Sequence, residues 1–252
     1  MHIRVDFNEM RQSVLAGSKE VAAHIRALNT YPFGFLDRSE DAVAHAHASY
    51  NPCPILLVHG VIHNRSAFFP LKRRMREWGW LNVFSMNYST RHGSLIGMVE
   101  DVATRVDDIL KRTGCPKVDI VAHSLGGLVA RYYMTMGLGR GKVRRLITLG
   151  TAHSGTNASV FLKLFASGSL ARDLRRQSYF IETLNKTPIP DGSKIISLYS
   201  KNDWTVWPFR SGALEGYGGK SFENHQIEGT GHVGMLYNPS VFSAVEKYIT
   251  ES

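Results

Sequence analysis

The sequence predicts an α/β protein, with a mainly parallel central sheet of about six strands and helices on both faces. Three observations carry this. Short apolar runs such as Ile55-Leu-Leu-Val58 alternate along the 252 residues with longer segments of helical periodicity. The run at Ile55 is apolar without interruption, as a strand covered on both faces requires. In Val118-Asp-Ile-Val-Ala-His-Ser-Leu-Gly-Gly-Leu-Val-Ala-Arg131 the period changes from strand to helix at one residue, Ser124.

In chain order, Phe7, Met10, Val14, Val21, Ile25 and Leu28 recur at helical spacing and predict an amphipathic helix whose apolar face packs on the body of the protein. Tyr31-Pro-Phe-Gly-Phe35 reads as an aromatic loop, and residues 37 to 51 suit a second short helix that ends at Asn51-Pro-Cys-Pro54. Residues 1–50 are thus a helical extension packed on a main domain of residues 51–252, and no chemistry is expected from them. The run ending at His59-Gly60 is the first strand. A helix from about Ala67 to Trp78, a strand at Asn82 to Tyr88 and a helix from about Ser94 to Arg112 follow. Beyond the Ser124 corner and its helix come a strand at Val143 to Leu149, a connection too long for a simple crossover, strands at Ile195 to Tyr199 and Phe222 to Ile227, and a closing helix at Val241 to Ile249. Within the long connection, residues 157–187 predict a helical cap, with Val160, Phe161, Leu164 and Phe165 on its apolar side and Arg172, Arg175 and Arg176 on the other.

The composition narrows the function. A formal charge of +9 sits in clusters such as Lys72-Arg-Arg-Met-Arg76 on segments that read as solvent faces, without zinc-finger spacing or an aromatic ladder. That pattern argues against nucleic acid as a partner and is compatible with transient contact with an anionic lipid surface. The two cysteines, Cys53 and Cys115, are too few for a disulfide scaffold or a metal site, and neither metal nor cofactor is expected. Each precedes a strand, so a bridge between them is within reach if those strands are neighbours. No apolar run approaches a membrane span. The start lacks a signal-peptide plan, which suits either a cytoplasmic chain or a mature secreted one.

Ser124 is the candidate nucleophile, because a serine on a tight strand-to-helix corner between Ala122 and Gly126 exposes its hydroxyl above the sheet. Such a hydroxyl needs a base, a carboxylate to orient it and two oxyanion donors. Asp203 lies just past the carboxyl end of a predicted strand. Asp191 precedes that strand, and Glu223 and Glu228 lie in or at the end of the last one. His232 follows the last strand on the glycine-rich loop Glu228-Gly-Thr-Gly-His-Val-Gly234, while His225 is inside it. The backbone N–H groups of Val61, with Ile62 as its neighbour and fallback, and of Leu125 are the candidate oxyanion donors. Ile62, His153, Phe161, Phe165 and Val233 are the residues expected to line the substrate site. His59 and His123 read as packing residues, and His63 as a further non-reacting residue lining the site.

With these residues in place, the chain resembles the α/β-hydrolase lipases, and among them the small bacterial triacylglycerol lipases and esterases. The resemblance covers about residues 51 to 250. It rests on Val58-His-Gly60, Ala122-His-Ser-Leu-Gly-Gly127, Leu149-Gly-Thr-Ala-His-Ser-Gly-Thr156, Tyr199-Ser-Lys-Asn-Asp203 and Gly229-Thr-Gly-His-Val-Gly-Met-Leu-Tyr237. The order Ser124, Asp203, His232 is the order of that fold. Ala122 replaces the glycine of the commoner pentapeptide, and Ala152 stands where related lipases usually have proline. The resemblance implies hydrolysis of acylglycerol-type carboxylic esters through an acyl-enzyme. The alternatives are another ester class (phospholipid, thioester or polyester) and a non-catalytic binding protein of the same fold.

Overall fold

The computed structural model describes residues 7–36, 53–88, 95–157, 169–215 and 221–251, with side chains from residue 12 onward. Its centre is a six-stranded parallel sheet in the order β2-β1-β3-β4-β5-β6, made of β1 (Ile55–Val58), β2 (Val83–Met86), β3 (Val118–His123), β4 (Val143–Leu149), β5 (Lys194–Tyr199) and β6 (Phe222–Gln226). Alternation along each strand feeds two separate cores. Leu56, Val58, Ile120 and Ala122 face one side, where α4 (Leu95–Thr113) and α5 (Leu125–Thr135) pack. Ile55, Leu57, Val121 and Ile147 face the other, against α3 (Phe69–Glu77) and the last helix, α8 (Pro239–Thr250). This double coverage is the reason the central strand β1, buried at every residue, is apolar throughout.

The chain runs outward from β1 to β2 and then returns to lay β3 on the opposite side of β1. That reversal opens a crevice at the carboxyl ends of β1 and β3, where open parallel sheets bind ligands. Asp119 on β3 is buried and holds the far end of the molecule together. It accepts from Arg144 Nε at 2.9 Å and from the Arg145 backbone N–H at 3.1 Å, while both arginine side chains donate to the Ile249 carbonyl at the end of α8.

Several elements differ from the sequence expectation. The N-terminal helix α1 (Phe7–Thr30) forms, but with its faces reversed: Ala16, Ala23 and Ala27 are buried with Glu20 between them, while Val14, Val21, Ile25 and Leu28 are exposed, at 68%, 61%, 55% and 72%. A stripe of alanines lets the helix axis approach the turn Gly234–Tyr237 closely, and Glu20 finds backbone donors there. The bulkier valine, isoleucine and leucine side chains would hold the helix away. The aromatic stretch after α1 contains a short helix, α2 (Phe33–Leu36), instead of an open loop. Its Gly34 fits against the Asn64 side chain, whose Nδ2 donates to the Tyr31 carbonyl at 2.8 Å.

The expected helix within 37–51 lies outside the described residues, as do Val160, Phe161, Leu164 and Phe165 of the expected cap. What is described of the long connection is two short helices, α6 (Ser169–Asp173) and α7 (Tyr179–Lys186), with Leu170, Ile181 and Leu184 buried. Cys53 and Cys115 precede the adjacent strands β1 and β3, yet both are thiols rather than a bridge, and burial together with the nearby Asp119 carboxylate pushes the Cys53 thiol up to about 11. Among the described residues, no helix is long and apolar enough to cross a membrane.

Candidate active site

Every group of the candidate site stands just beyond the carboxyl end of a strand. Ser124 leaves β3 with φ 55° and ψ −124°, a backbone conformation that side-chain-bearing residues rarely adopt. The neighbouring residues make the corner possible. A Cβ on Gly126 would fall 2.4 Å from the His59 carbonyl oxygen and 2.7 Å from that of Val58, so only glycine lets α5 start this close to β1. The corner is tied down by the Ser124 N–H, which donates to the Leu149 carbonyl at 2.9 Å, and by Thr151 Oγ1, which donates to the Ser124 carbonyl at 2.9 Å.

The structure brings Ser124, His232 and Asp203 into one line. His232 Nε2 lies 2.9 Å from Ser124 Oγ, and His232 Nδ1 lies 2.7 Å from Asp203 Oδ2. A carboxylate can only accept, so Nδ1 carries the proton and Nε2 of the neutral ring is left to accept from the serine hydroxyl. The second Asp203 oxygen, Oδ1, accepts from the backbone N–H groups of Thr205 at 2.9 Å and Val206 at 3.1 Å, which fixes the plane of the carboxylate. Gly150, at the end of β4 with φ 58°, makes room for this pair, because a Cβ there would sit 2.9 Å from Asp203 Oδ2 and 3.2 Å from His232 Nδ1. Burial alone would lower the His232 pKa. The Asp203 carboxylate, with a further contribution from Glu20, outweighs it and raises the value above that of an ordinary histidine. Glu228, just past the end of β6, is exposed.

Val61 and Leu125 line the same small cavity as Ser124. Leu125 opens α5, so its N–H belongs to the first turn, which has no intrahelical partner, at the positive end of the helix dipole. Val61 follows Gly60, where a Cβ would lie 2.8 Å from Ser124 Cβ, and Ile62 turns the loop away with φ 63°. His59 and His123 are buried beneath. His59 Nδ1 bonds the Gly60 carbonyl at 2.8 Å, and its ring stacks on Tyr88 with centroids 4.3 Å apart. His123 Nε2 donates to the His232 carbonyl at 3.0 Å. Burial drives His59 down to about 4 and His123 well below the ordinary value, so both are neutral supports.

A cavity of about 330 Å³ opens on Ser124 and His232 and is lined by Val61, Ile62, His63, His123, Thr205 and Val233, together with His24, Ala27, Leu28 and Tyr31. The last four belong to the N-terminal segment, from which no chemistry was expected. Their signal was present in the sequence as small residues at 16, 23 and 27, which mark a helix built for close approach, but it was overshadowed by the larger apolar residues on the other face. A much smaller cavity that also opens on Ser124 is lined by Leu125, Leu128, Ala152, Thr156, Leu174 and Val206, among others. Ile62 and Val233 therefore lie where substrate-lining residues were expected. His153 does not. It is buried, 2.9 Å from Thr148 Oγ1 and 3.4 Å from the Arg131 guanidinium, because these two partners draw the ring down beneath the β4 end and away from either cavity. Phe161 and Phe165 lie outside the described residues.

The sequence profile of the palmitoyl protein thioesterase family matches residues 54–189, just over half of the chain. The chain belongs to this family. Solved structures place the family member's fold among the α/β-hydrolases. Lipase BlEst2 of Bacillus licheniformis in its mature form superposes with a TM-score of 0.62 at 18% identity, covering 81% of this chain and 95% of that one. A monoacylglycerol lipase of Paleococcus ferrophilus gives 0.59 at 15% identity, covering 77% and 93%. The product of gene lin2722 of Listeria innocua gives 0.58 at 14% identity, covering 79% and 94%. The match to the palmitoyl protein thioesterase family begins at β1 and ends before β5, so α1, Asp203 and His232 all lie outside it.

Proposed function

We propose that this protein is a serine hydrolase that cleaves carboxylic esters of apolar acyl chains through an acyl-enzyme, with acylglycerol-type esters as the first substrate class. The observation that carries the reading is the continuous relay from Asp203 through His232 to Ser124 Oγ, opening into a largely apolar cavity. Ser124 Oγ attacks the ester carbonyl as His232 Nε2 takes its proton. Asp203 stabilises the imidazolium, and the N–H groups of Val61 and Leu125 bind the tetrahedral oxyanion. His232 then gives the proton to the leaving group, and a water molecule repeats the sequence on the acyl-serine. The larger cavity suits the acyl chain, and the smaller one beside Ser124 the leaving group.

Membership of the palmitoyl protein thioesterase family favours a second reading, in which the leaving group is a thiol. Both readings use the same acyl-enzyme and differ only in the atom that accepts the proton from His232. Purified protein should hydrolyse p-nitrophenyl esters, and Ser124→Ala should lower turnover by at least about a thousandfold with unchanged circular dichroism. Parallel assays on a monoacylglycerol and on a palmitoyl thioester of matched chain length decide the leaving group. Full activity in Ser124→Ala would remove the serine from the chemistry.

A further inference from the structure

Glu20 is on α1, in the segment that precedes the family match, and its carboxylate reaches across to the loop that carries His232. Oε1 accepts from the Val233 N–H at 2.7 Å, and Oε2 accepts from the Gly234 N–H at 2.7 Å. These are the first two backbone donors after the histidine. Two consecutive N–H groups held by one carboxylate form a fixed bidentate clamp, and bonds to a charged acceptor are about twice as strong as neutral ones. The loop is shaped to admit the carboxylate. A Cβ on Gly231 would fall 2.4 Å from Glu20 Oε2, and one on Gly234 would fall 3.0 Å from the same atom. Glycines on both sides of His232 therefore leave the space that the carboxylate fills. On α1 itself, Glu20 is flanked by the buried Ala16, Ala23 and Ala27, which bring the helix close enough for the contact.

We infer that Glu20 is a positioning residue for His232: it fixes the histidine loop from the side opposite Asp203 and supplies a second negative charge to the imidazolium formed during turnover. The inference rests on the reading of His232 as the general base. The charged and titratable groups facing His232 are Asp203 from the loop after β5, Glu20 from α1, His123 from the end of β3 and His63 from the loop after β1. Burial holds His63 down at about 4 and His123 well below the ordinary value, so neither adds positive charge near neutral pH. His24, one turn further along α1, places Nδ1 3.7 Å from Glu20 Oε1. Asp203 and Glu20 thus both face the His232 imidazole, and Glu20 has His24 as a second neighbour. The two carboxylates differ in the part they hold, since Asp203 orients the ring and Glu20 the backbone that carries it.

The test is the pH profile of kcat/KM for an activated ester, measured for the wild type, Glu20→Gln and Glu20→Ala. Glu20→Gln keeps the shape but removes the charge, and its amide nitrogen cannot accept from a backbone N–H. The acidic limb, which reports protonation of the base, should move down by about half a pH unit, the size expected of a partly screened charge beyond the direct partner. Turnover on the plateau should fall about tenfold or more as the histidine loop loses its clamp. A plateau loss with an unmoved limb would make Glu20 a packing residue only and overturn the inference, as would a wild-type profile.

If removal of Glu20 weakens folding, Gly231→Ala approaches the same contact from the loop. In the wild-type background the added methyl displaces the carboxylate and should lower turnover. In the Glu20→Ala background it meets no oxygen and should cost little further, so the two changes are non-additive. Additive losses would overturn the inference. Ser124→Ala, measured alongside, separates the two levels. An active Ser124→Ala variant removes the hydrolase reading itself, whereas an inactive one beside a wild-type-like Glu20→Gln removes only the role of Glu20.

Discussion

Replacing Asp203 by asparagine would change one atom, and the structure dictates how the new side chain must orient. Oδ1 of Asp203 accepts from two backbone N–H groups, those of Thr205 and Val206. An asparagine must keep its carbonyl oxygen there, since the opposite flip would point an NH₂ group at two donors and leave both without an acceptor, at about 1–3 kcal/mol each. Its NH₂ therefore faces His232 Nδ1, now 2.7 Å from a donor instead of an acceptor. The ring responds by moving its proton to Nε2, which then presents N–H to Ser124 Oγ and cannot take the hydroxyl proton. The fold is untouched, because the shape and both backbone bonds remain. Turnover should fall about ten-thousandfold at neutral pH, which corresponds to about 5 kcal/mol of lost transition-state stabilisation. The assay is single-turnover acylation with a p-nitrophenyl ester, read beside the melting temperature. Loss of less than about tenfold with an unchanged melting temperature would mean that Asp203 does not set the tautomer of His232, and the assignment of the acid would fail.

Two further outcomes follow from the same geometry. Because the His232 pKa is raised above the ordinary 6.5, mainly by Asp203 against the opposing effect of burial, and the base must be neutral to act, kcat/KM should be constant at alkaline pH and fall as pH drops through a value above 6.5. A limb below 6.5 would contradict the charge balance described. Leu28 is exposed yet lines the larger cavity, so Leu28→Ser should leave stability nearly unchanged. Loss of its contact with roughly two methylenes, at about 0.8 kcal/mol each, should lower kcat/KM about fifteenfold on an octanoyl ester and less than twofold on acetate. Equal losses on both would place the acyl chain elsewhere.

Much of this architecture was legible in the residues. The apolar run at Ile55 and the mostly apolar stretch from Val118 to Ala122 marked the buried central strands, and the change of period at Ser124 marked the corner. Position relative to strand ends singled out Asp203 over Asp191 and His232 over His225, and the structure brings those residues together with Ser124. What could not be read were relations set by packing between distant segments. The alternation in α1 was visible, but which face turned inward depended on a loop more than two hundred residues away that offered two N–H groups to Glu20. His153 sits in a motif that resembles a site loop, yet Thr148 and Arg131 draw it beneath the β4 end. The partners in both cases lie on different elements, and single-segment periodicity carries no information about them.

The contact between Glu20 and Val233 spans 213 positions of the chain, and this has a consequence for synthesis. At the usual pace of translation, on the order of ten to forty seconds separate the emergence of these two residues. Throughout that interval α1 exists without the loop against which its alanine face closes, and the serine corner exists without its histidine. A nascent chain that has passed β5 but not His232 carries Ser124 without the imidazole that lies 2.9 Å from it in the finished protein. On the proposed reading, ester hydrolysis would therefore wait until the segments that carry Ser124, His232 and Glu20 have met.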